Sequence, residues 1–516
     1  MNAAGDLIAV GAEGHVALEC GERQLTYTEL RHAVRRAAGA WRQLGLSENQ
    51  RVLVFAPDSI DWVIAYLGVI AAGGVAVGLN SRLFEKELEV ILGESGASFV
   101  WCESESLSLL GRMCDSLAQP PQIVVAAVND SNDSNGSNGS NGSHGSNDPG
   151  DSTRPHWQQL LDTAPALDPV ERSAEDMALW IYTSGTTGRP KAVVHVQRVA
   201  DQCAVLARQL LGLTAADRLY ASSKLFFAYA LANSLFAGLR LGATVILDRE
   251  WPSAERVAEI CGRHRPSVLF SVPTLFHKLV QGEIPGRLQA AGVRHYVSAG
   301  ESLPLSVRQA LQQATGVAPL SGYGTSETMC LMLYSQNDTG ILQATPLTEV
   351  RAEAASDADP ELPRRLWLRH PSVATGYWQR PADQGDFCDG WFSPGDMFLP
   401  RGAGAWEFSG RTDDMLKISG QWVSTIAVDQ ALLAACGDAV QEMGSVATCN
   451  QQGLTEIAVF VVVSPGRDEE ARSRLQSGIA ALPGFKQPRR VEFVDSLPRT
   501  ATGKLQRSKL AGLLQQ

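Results

Sequence analysis

Ten consecutive residues carry the densest chemistry in the chain: Tyr182-Thr183-Ser184-Gly185-Thr186-Thr187-Gly188-Arg189-Pro190-Lys191. Four hydroxyls, two glycines and a lysine can wrap a polyphosphate. Glycine lets the backbone come close, successive N–H groups form an anion nest, and the lysine adds a point charge. The same composition also suits an ordinary polar turn. Two better-known motifs fail on spacing. A Walker A loop needs a Gly-Lys-Ser/Thr ending, but here Pro190 precedes Lys191 and Ala192 follows it. A nucleophile elbow needs glycine two residues before its serine, where Tyr182 stands.

Other polar clusters lie downstream: Ser298-Ala299-Gly300-Glu301-Ser302, Ser321-Gly322-Tyr323-Gly324-Thr325-Ser326-Glu327, Gly395-Asp396, Gly410-Arg411-Thr412-Asp413-Asp414-Met415-Leu416-Lys417 and Pro498-Arg499-Thr500-Ala501-Thr502-Gly503-Lys504. Taken singly, each has a plain reading. Asp396 after Pro-Gly suits a turn, Arg411 and Lys504 suit solvent, and Glu327 suits hydration. Their chemistry is nonetheless specific. A carboxylate such as Glu327 is a hard oxygen ligand for Mg²⁺. Asp396 has two oxygens able to accept from a diol. Arg411 offers a planar fork.

In this order the clusters resemble the adenylate-forming superfamily of acyl-CoA synthetases, adenylation enzymes and luciferases, over residues from about 20 to 510. The resemblance implies ATP, Mg²⁺ and coenzyme A as the small molecules handled. It implies nucleotide contacts at Thr183, Ser184, Gly185, Thr186, Thr187, Gly188, Lys191, Gly300, Glu301, Ser302, Tyr323, Gly324, Asp396 and Arg411. Thr187 and Glu327 would serve the metal, and Thr325, Glu327 and Lys504 the adenylation step. Asp413 would be the hinge of a mobile lid. After the hinge moves, Lys417 and Gly420 would line the pantetheine tunnel, where a residue without Cβ lets a slender arm pass.

The run Lys224-Leu225-Phe226-Phe227-Ala228-Tyr229-Ala230 resembles the pocket segment of benzoate-CoA ligases and nearby aryl-CoA ligases. It implies a flat slot for one aromatic ring, built from Phe227, Ala228, Tyr229, Ala299, Gly300, Tyr323 and Cys330. The last departs from the relatives, which tend to carry histidine there, and this bears on the ring substituents accepted. The implied activity is aryl-acid:CoA ligation through an aryl-adenylate, with benzoate, hydroxybenzoate or aminobenzoate as the acid. Two alternatives are loading of an aryl acid onto a carrier-protein phosphopantetheine and ligation of a small or medium-chain acid. A nucleotide-binding scaffold without turnover would require losses at Lys504, Glu327 or Asp396, and all three are present.

The remaining sequence must position these groups. The chain has 516 residues, of which 44% are hydrophobic and 19% charged, enough for several packed domains. Its 44 Lys+Arg against 55 Asp+Glu leave a net charge of −11, which excludes the cationic footprint of a nucleic-acid binder. The nine cysteines form no C-x-x-C pair and the nine histidines no metal spacing, which predicts reduced thiols in a cytoplasmic protein without a zinc site. The N-terminus has no basic start and no apolar signal region.

Residues 62–79 are 18 uncharged positions, at the threshold for a membrane span. Gly73-Gly74 interrupts them, which predicts a core helix, a turn and a buried strand, and no membrane span. Thr26-Tyr27-Thr28-Glu29 predicts a capping box ahead of a helix bearing Leu30, Val34, Ala37 and Trp41. Short apolar runs at 51–55, 244–247 and 268–271 alternate with helical segments, the signature of largely parallel α/β sheets. A low-complexity Asn/Gly/Ser loop occupies 129–150.

The expected fold is a large α/β N-terminal domain over 1–412, with a small β-barrel-like region. A small mobile α/β lid follows over 413–516. The expected molecule is a monomer or homodimer.

Overall fold

The computed structural model describes residues 1–126, 154–184, 189–336, 339–353, 362–402, 404–411, 415–418, 421–450, 455–499 and 505–514. The low-complexity loop therefore lies outside the described residues. The chain divides into two compact units. The first comprises Met1–Asp338, Thr345–Glu349 and Arg369–Phe392, and the second Thr339–Ala344, Val350–Leu368 and Ser393–Gln516.

The first unit holds two sheets. One runs in the order Gln122–Ala126, Phe99–Glu103, Arg51–Phe55, Val75–Leu79, Met177–Ser184, Pro190–Val196 and Gly376–Tyr377. It is parallel as far as Met177–Ser184 and antiparallel beyond. The other orders Leu333–Ser335, Leu320–Tyr323, His295–Ser298, Val268–Ser271, Arg218–Ala221, Thr244–Leu247, Val16–Cys20 and Arg23–Thr26. Its two outermost pairings are antiparallel, and the strands between are parallel. Helices intervene along the chain, as parallel pairing requires.

The local signals read from sequence have physical counterparts. Glu29 Oε2 accepts from the Thr26 N–H at 2.8 Å, and the Glu29 N–H donates to the Thr26 hydroxyl at 3.3 Å. This box starts the helix Tyr27–Gln43, whose Leu30, Val34, Ala37 and Trp41 are buried. The uncharged stretch resolves into the buried helix Ile60–Ala71, a turn with Gly73 at φ +84°, and the buried strand Val75–Leu79. Among the described residues no helix is long and apolar enough to cross a membrane. Trp41, Trp62, Trp101 and Trp180 are almost fully buried. Each large aromatic contributes on the order of 2–3 kcal/mol by leaving water.

In the second unit, Arg364–Arg369, Asp396–Pro400 and Trp406–Arg411 pair antiparallel. The hairpin Met415–Ile418/Gln421–Ser424 follows, then the helix Thr425–Cys436. Val440–Cys449, Thr455–Val463 and Arg490–Phe493 form a three-stranded sheet whose core includes Val428, Leu432, Ile457, Val459, Val461 and Leu475. The helix Asp468–Ala481 follows the strand Thr455–Val463. The α/β class expected from the sequence is thus found in both units.

Candidate active site

In open α/β sheets ligands gather beyond the carboxyl ends of parallel strands. The first unit arranges its sequence-predicted residues this way. Ala299 and Gly300 follow His295–Ser298, and Thr325 to Glu327 follow Leu320–Tyr323. The segment from Lys224 to Tyr229 follows Arg218–Ala221, in the same sheet. Thr183 and Ser184 close the strand Met177–Ser184, whose hairpin partner begins at Pro190. Gly185, Thr186, Thr187 and Gly188, the centre of the proposed phosphate loop, lie outside the described residues. So do Asp413, Gly420 and Lys504. Lys417 is placed in the strand Met415–Ile418.

The segment bearing Thr325 and Glu327 is gripped from two sides. The strand Pro190–Val196 alternates its side chains, so Lys191, Val193 and His195 share a face. Val193 packs with Ala374 and Tyr377, and the Lys191 ammonium stands 5.2 Å from the Tyr377 ring centroid. His195 Nε2 donates to the Ser326 carbonyl at 2.8 Å. A carbonyl can only accept, so this imidazole carries its proton on Nε2. Burial pushes the His195 pKa down to about 4, which keeps it neutral in that role.

From the other side, the Ser372 hydroxyl donates to the Thr328 carbonyl at 2.7 Å and the Ala374 N–H to the Glu327 carbonyl at 2.8 Å. The Tyr377 hydroxyl donates to Glu327 Oε1 at 2.8 Å. The Thr328 hydroxyl accepts from the Thr325 N–H at 2.9 Å, closing the turn from within.

Gly324 is needed at this bend, because a Cβ there would lie 2.8 Å from the Cys330 carbonyl oxygen. Gly300, at φ +93°, likewise occupies backbone space that other residues enter only with strain. Glu301 accepts from the Thr274 hydroxyl at 3.2 Å, and both Glu301 and Ser302 are exposed.

Two oxygens of this turn are left without a partner among the described residues. Thr325 Oγ1 is buried and makes no hydrogen bond with the described residues. Glu327 is 9% exposed, and with Oε1 taken by Tyr377, its Oε2 pairs with none of the described residues. Among the described residues no group of three or more His, Cys, Asp or Glu could hold a metal. A single carboxylate fits Mg²⁺, which keeps water and substrate phosphates as most of its ligands. That carboxylate therefore suits Mg²⁺ brought with a nucleotide.

The aromatic run is neither plain core nor fully open. Phe226, Phe227 and Tyr229 are half-buried while Ala228 is buried. The Phe226 and Phe227 rings lie 4.3 Å apart, and Trp251 stands 6.3 Å from Phe226. The Tyr229 hydroxyl donates to the Val297 carbonyl at 2.7 Å. Burial raises that phenol's pKa well above its usual range. Tyr229 therefore offers its ring, not its hydroxyl, as a wall. Ala299 and Leu331 pack in the same apolar cluster as Tyr229. Cys330 is buried with its Sγ 3.9 Å from that of Cys203. The hydrogen bond between the two thiols, together with burial, raises the Cys203 pKa.

In the second unit, Asp396 and Arg411 are cross-strand partners, with Arg411 Nε donating to Asp396 Oδ1 at 3.3 Å. Asp396 is 5% exposed and follows Gly395 at φ +73°. The arrangement leaves a buried carboxylate oriented by a fork on the neighbouring strand.

Sequence reading missed Tyr377, His195 and Ser372. The alternation of Lys191 with His195 was the available signal for one of them. Tyr377 and Ser372 sit about fifty residues from Glu327, and only the pairing of Gly376–Tyr377 with Pro190–Val196 brings them near.

Comparison with known proteins identifies the family. A model of the AMP-binding enzyme family matches residues 8–378, and one of the AMP-binding enzyme C-terminal domain matches residues 429–504. A 3-hydroxybenzoate–CoA/4-hydroxybenzoate–CoA ligase of Thauera aromatica is 36% identical over 100% of this chain and 98% of that protein. A benzoate CoA ligase structure from Burkholderia xenovorans LB400 superposes with a TM-score of 0.84 at 29% identity, covering 99% of this chain and all of that one. An anthranilate CoA ligase, AuaEII, solved with anthranoyl-AMP, gives a TM-score of 0.86 at 26% identity over 100% of this chain and 97% of that one.

Proposed function

The chain belongs to the AMP-binding enzyme family, and we propose that it is an ATP- and Mg²⁺-dependent aryl-carboxylate:CoA ligase whose acid is a hydroxybenzoate or a close benzoate relative. One observation carries the reading. The half-buried aromatic slot, the Ala299-Gly300 bend and the Thr325 to Glu327 turn emerge from strands of one sheet, so a flat acid and a nucleotide can meet there.

The chemistry needs no protein nucleophile. The acid's carboxylate oxygen attacks the α-phosphorus of ATP and the bond to the bridging oxygen breaks, releasing pyrophosphate and leaving an aryl–AMP anhydride. The thiol of coenzyme A then attacks the aryl carbonyl, AMP departs, and the thiol proton is lost to solvent. Catalysis is positioning and charge neutralisation.

Thr325 donates its unpaired hydroxyl to an α-phosphate oxygen, and Tyr323 stacks on adenine. Asp396 accepts from the ribose hydroxyls, and Arg411 orients it. The segment from Thr183 to Lys191 binds the departing phosphates, and Thr187 would serve the metal. Glu327, with Oε2 left over by Tyr377, would hold Mg²⁺, which when bound would supply shielding of phosphate charge.

Lys504 steadies the negative charge as carboxylate and phosphate approach. Such a group is worth roughly 3–4 kcal/mol by analogy with oxyanion-hole donors. Rotation at Asp413 withdraws Lys504 and brings Lys417 and Gly420 to the pantetheine arm.

The protein works in the cytoplasm, where its nine free cysteines stay reduced. Pyrophosphate release screened over benzoate, the hydroxybenzoates, anthranilate, heteroaromatic and medium-chain acids tests the acid class. Hydroxybenzoates should lead, and a medium-chain optimum would overturn the aryl assignment. Comparing thioester yield with free CoA and with a phosphopantetheine carrier decides the acceptor.

A further inference from the structure

The turn that carries the aromatic slot is anchored by two buried charges. Asp58, 5% exposed, accepts the Leu225 N–H on both carboxylate oxygens, at 3.2 and 3.1 Å. Lys224, also 5% exposed, donates to the Asp248 carbonyl at 2.6 Å and to the Glu250 carbonyl. Phe227 N–H closes the turn onto the Lys224 carbonyl at 3.0 Å. Lys224 thus ties the segment leading to Trp251 to the turn bearing Phe226, and the Trp251 and Phe226 rings lie 6.3 Å apart, tilted by 50°.

Backbone packing from beneath completes the clamp. A Cβ on Gly78 would stand 3.5 Å from Phe226 Cα. Two further charges nearby are paired, and Arg82 lies over the Trp251 ring at 4.6 Å. The Asp248 carboxylate is held by Arg256 at 2.8 Å and Arg249 by Glu103 at 2.8 Å. Burial pushes the Asp58 pKa up to about 7 and lowers that of Lys224, while each group's charge favours ionisation of the other. Burying two ionisable side chains is often less stabilising than packing apolar residues of the same volume, so a role in stability alone explains them poorly. A fully bonded buried network fixes one arrangement of its backbone.

We propose that Asp58 and Lys224 are positioning residues which hold the Phe226-Phe227 edge of the acid slot against Trp251, and so set how tightly the slot grips its ring. This rests on the reading of that slot as the aryl-acid site. Neither residue touches the ring itself.

The test uses the full chain and its variants Asp58→Asn, Lys224→Met and the double variant, with pyrophosphate release measured against benzoate, 3-hydroxybenzoate and 4-hydroxybenzoate. Each single variant should raise KM for its best acid about tenfold, while KM for ATP stays within about twofold. Preference among the three acids should flatten. The double variant should be no worse than the poorer single one, because both charges leave together.

If Lys224→Met does not fold, Asp58→Asn decides alone, since it keeps the side chain's shape and one acceptor for Leu225. An active parent enzyme whose acid KM moves less than about twofold in the variants overturns the inference. So does a parallel rise in acid and ATP KM that tracks lost thermal stability. A parent enzyme inactive with every aryl acid overturns instead the functional reading beneath it.

Discussion

Tyr377 donates its hydroxyl to Glu327 Oε1 at 2.8 Å, while the Lys191 ammonium lies 5.2 Å from the same tyrosine's ring centroid. One aromatic residue therefore joins the strand leaving the phosphate loop to the carboxylate assigned to Mg²⁺. Its ring takes the cation on its face, and its hydroxyl fixes which carboxylate oxygen is left for the metal. Partners of this kind orient a ligand without touching the ion.

Tyr377→Phe keeps the ring and removes that hydrogen bond. Freed to rotate, Glu327 should hold Mg²⁺ about tenfold more weakly. Titrating Mg²⁺ at saturating ATP and acid should show the half-maximal concentration rising while activity at high Mg²⁺ recovers in large part. An unchanged Mg²⁺ requirement would place Glu327 elsewhere in the chemistry.

Lys504→Ala should cut aryl-adenylate formation by roughly 10²–10³-fold, the scale of a lost oxyanion-hole donor, and leave thioester formation from supplied aryl-AMP largely intact. Asp413→Pro should do the reverse, since locking φ at the hinge blocks the second arrangement. Equal loss of both half-reactions in both variants, with the fold intact, would rule out a lid that swings.

Gly324→Ala should be poorly tolerated, because its Cβ would meet the Cys330 carbonyl at 2.8 Å, a backbone atom that cannot swing aside. The expected cost is about 1–3 kcal/mol in urea unfolding, with a larger loss in adenylation as Thr325 is displaced. A variant as active as the parent would show that the bend is not required.

His195 and His370 give a pH dependence with a definite sign. Burial holds each near 4, against 6.5 for the ordinary imidazole. Below pH 6.5 the unfolded chain binds protons that the native state refuses, so these groups lose stability as pH falls from 6.5 towards 4. Between pH 7 and 5 each accounts for roughly 2 kcal/mol. Asp58, pushed up to about 7 from 3.8, acts oppositely: its contribution is present below 3.8 and lost as pH rises through 7. Denaturant unfolding at both pH values should therefore show a smaller acid loss in His195→Gln than in the parent, and an equal loss would contradict the buried neutral imidazole.

Much of the fold was legible because local rules and tertiary packing agree. The Thr26/Glu29 box, the Gly73 turn and the short apolar strands at 51–55, 244–247 and 268–271 all form where their residues suggest. The polar segments stood out in the sequence as clusters of glycines and hydroxyls, a composition that suits a polar turn as well as a phosphate nest. What could not be read was the support. Tyr377, Ser372 and His195 reach the Glu327 turn only through strand pairing, and Asp58 before Ser59 looks like any polar residue ahead of a helix cap. Long-range hydrogen bonds leave no mark on sequence spacing.

The most direct measurement omits coenzyme A. Enzyme incubated with ATP, Mg²⁺ and 3-hydroxybenzoate is quenched and its nucleotides separated, before and after a chase of CoA. The expected result is about one equivalent of aryl-AMP per enzyme with matching pyrophosphate, converted to aryl-CoA and AMP by the chase. Appearance of ADP and phosphate, or no pyrophosphate until CoA is present, would contradict an aryl-adenylate as the activated acid.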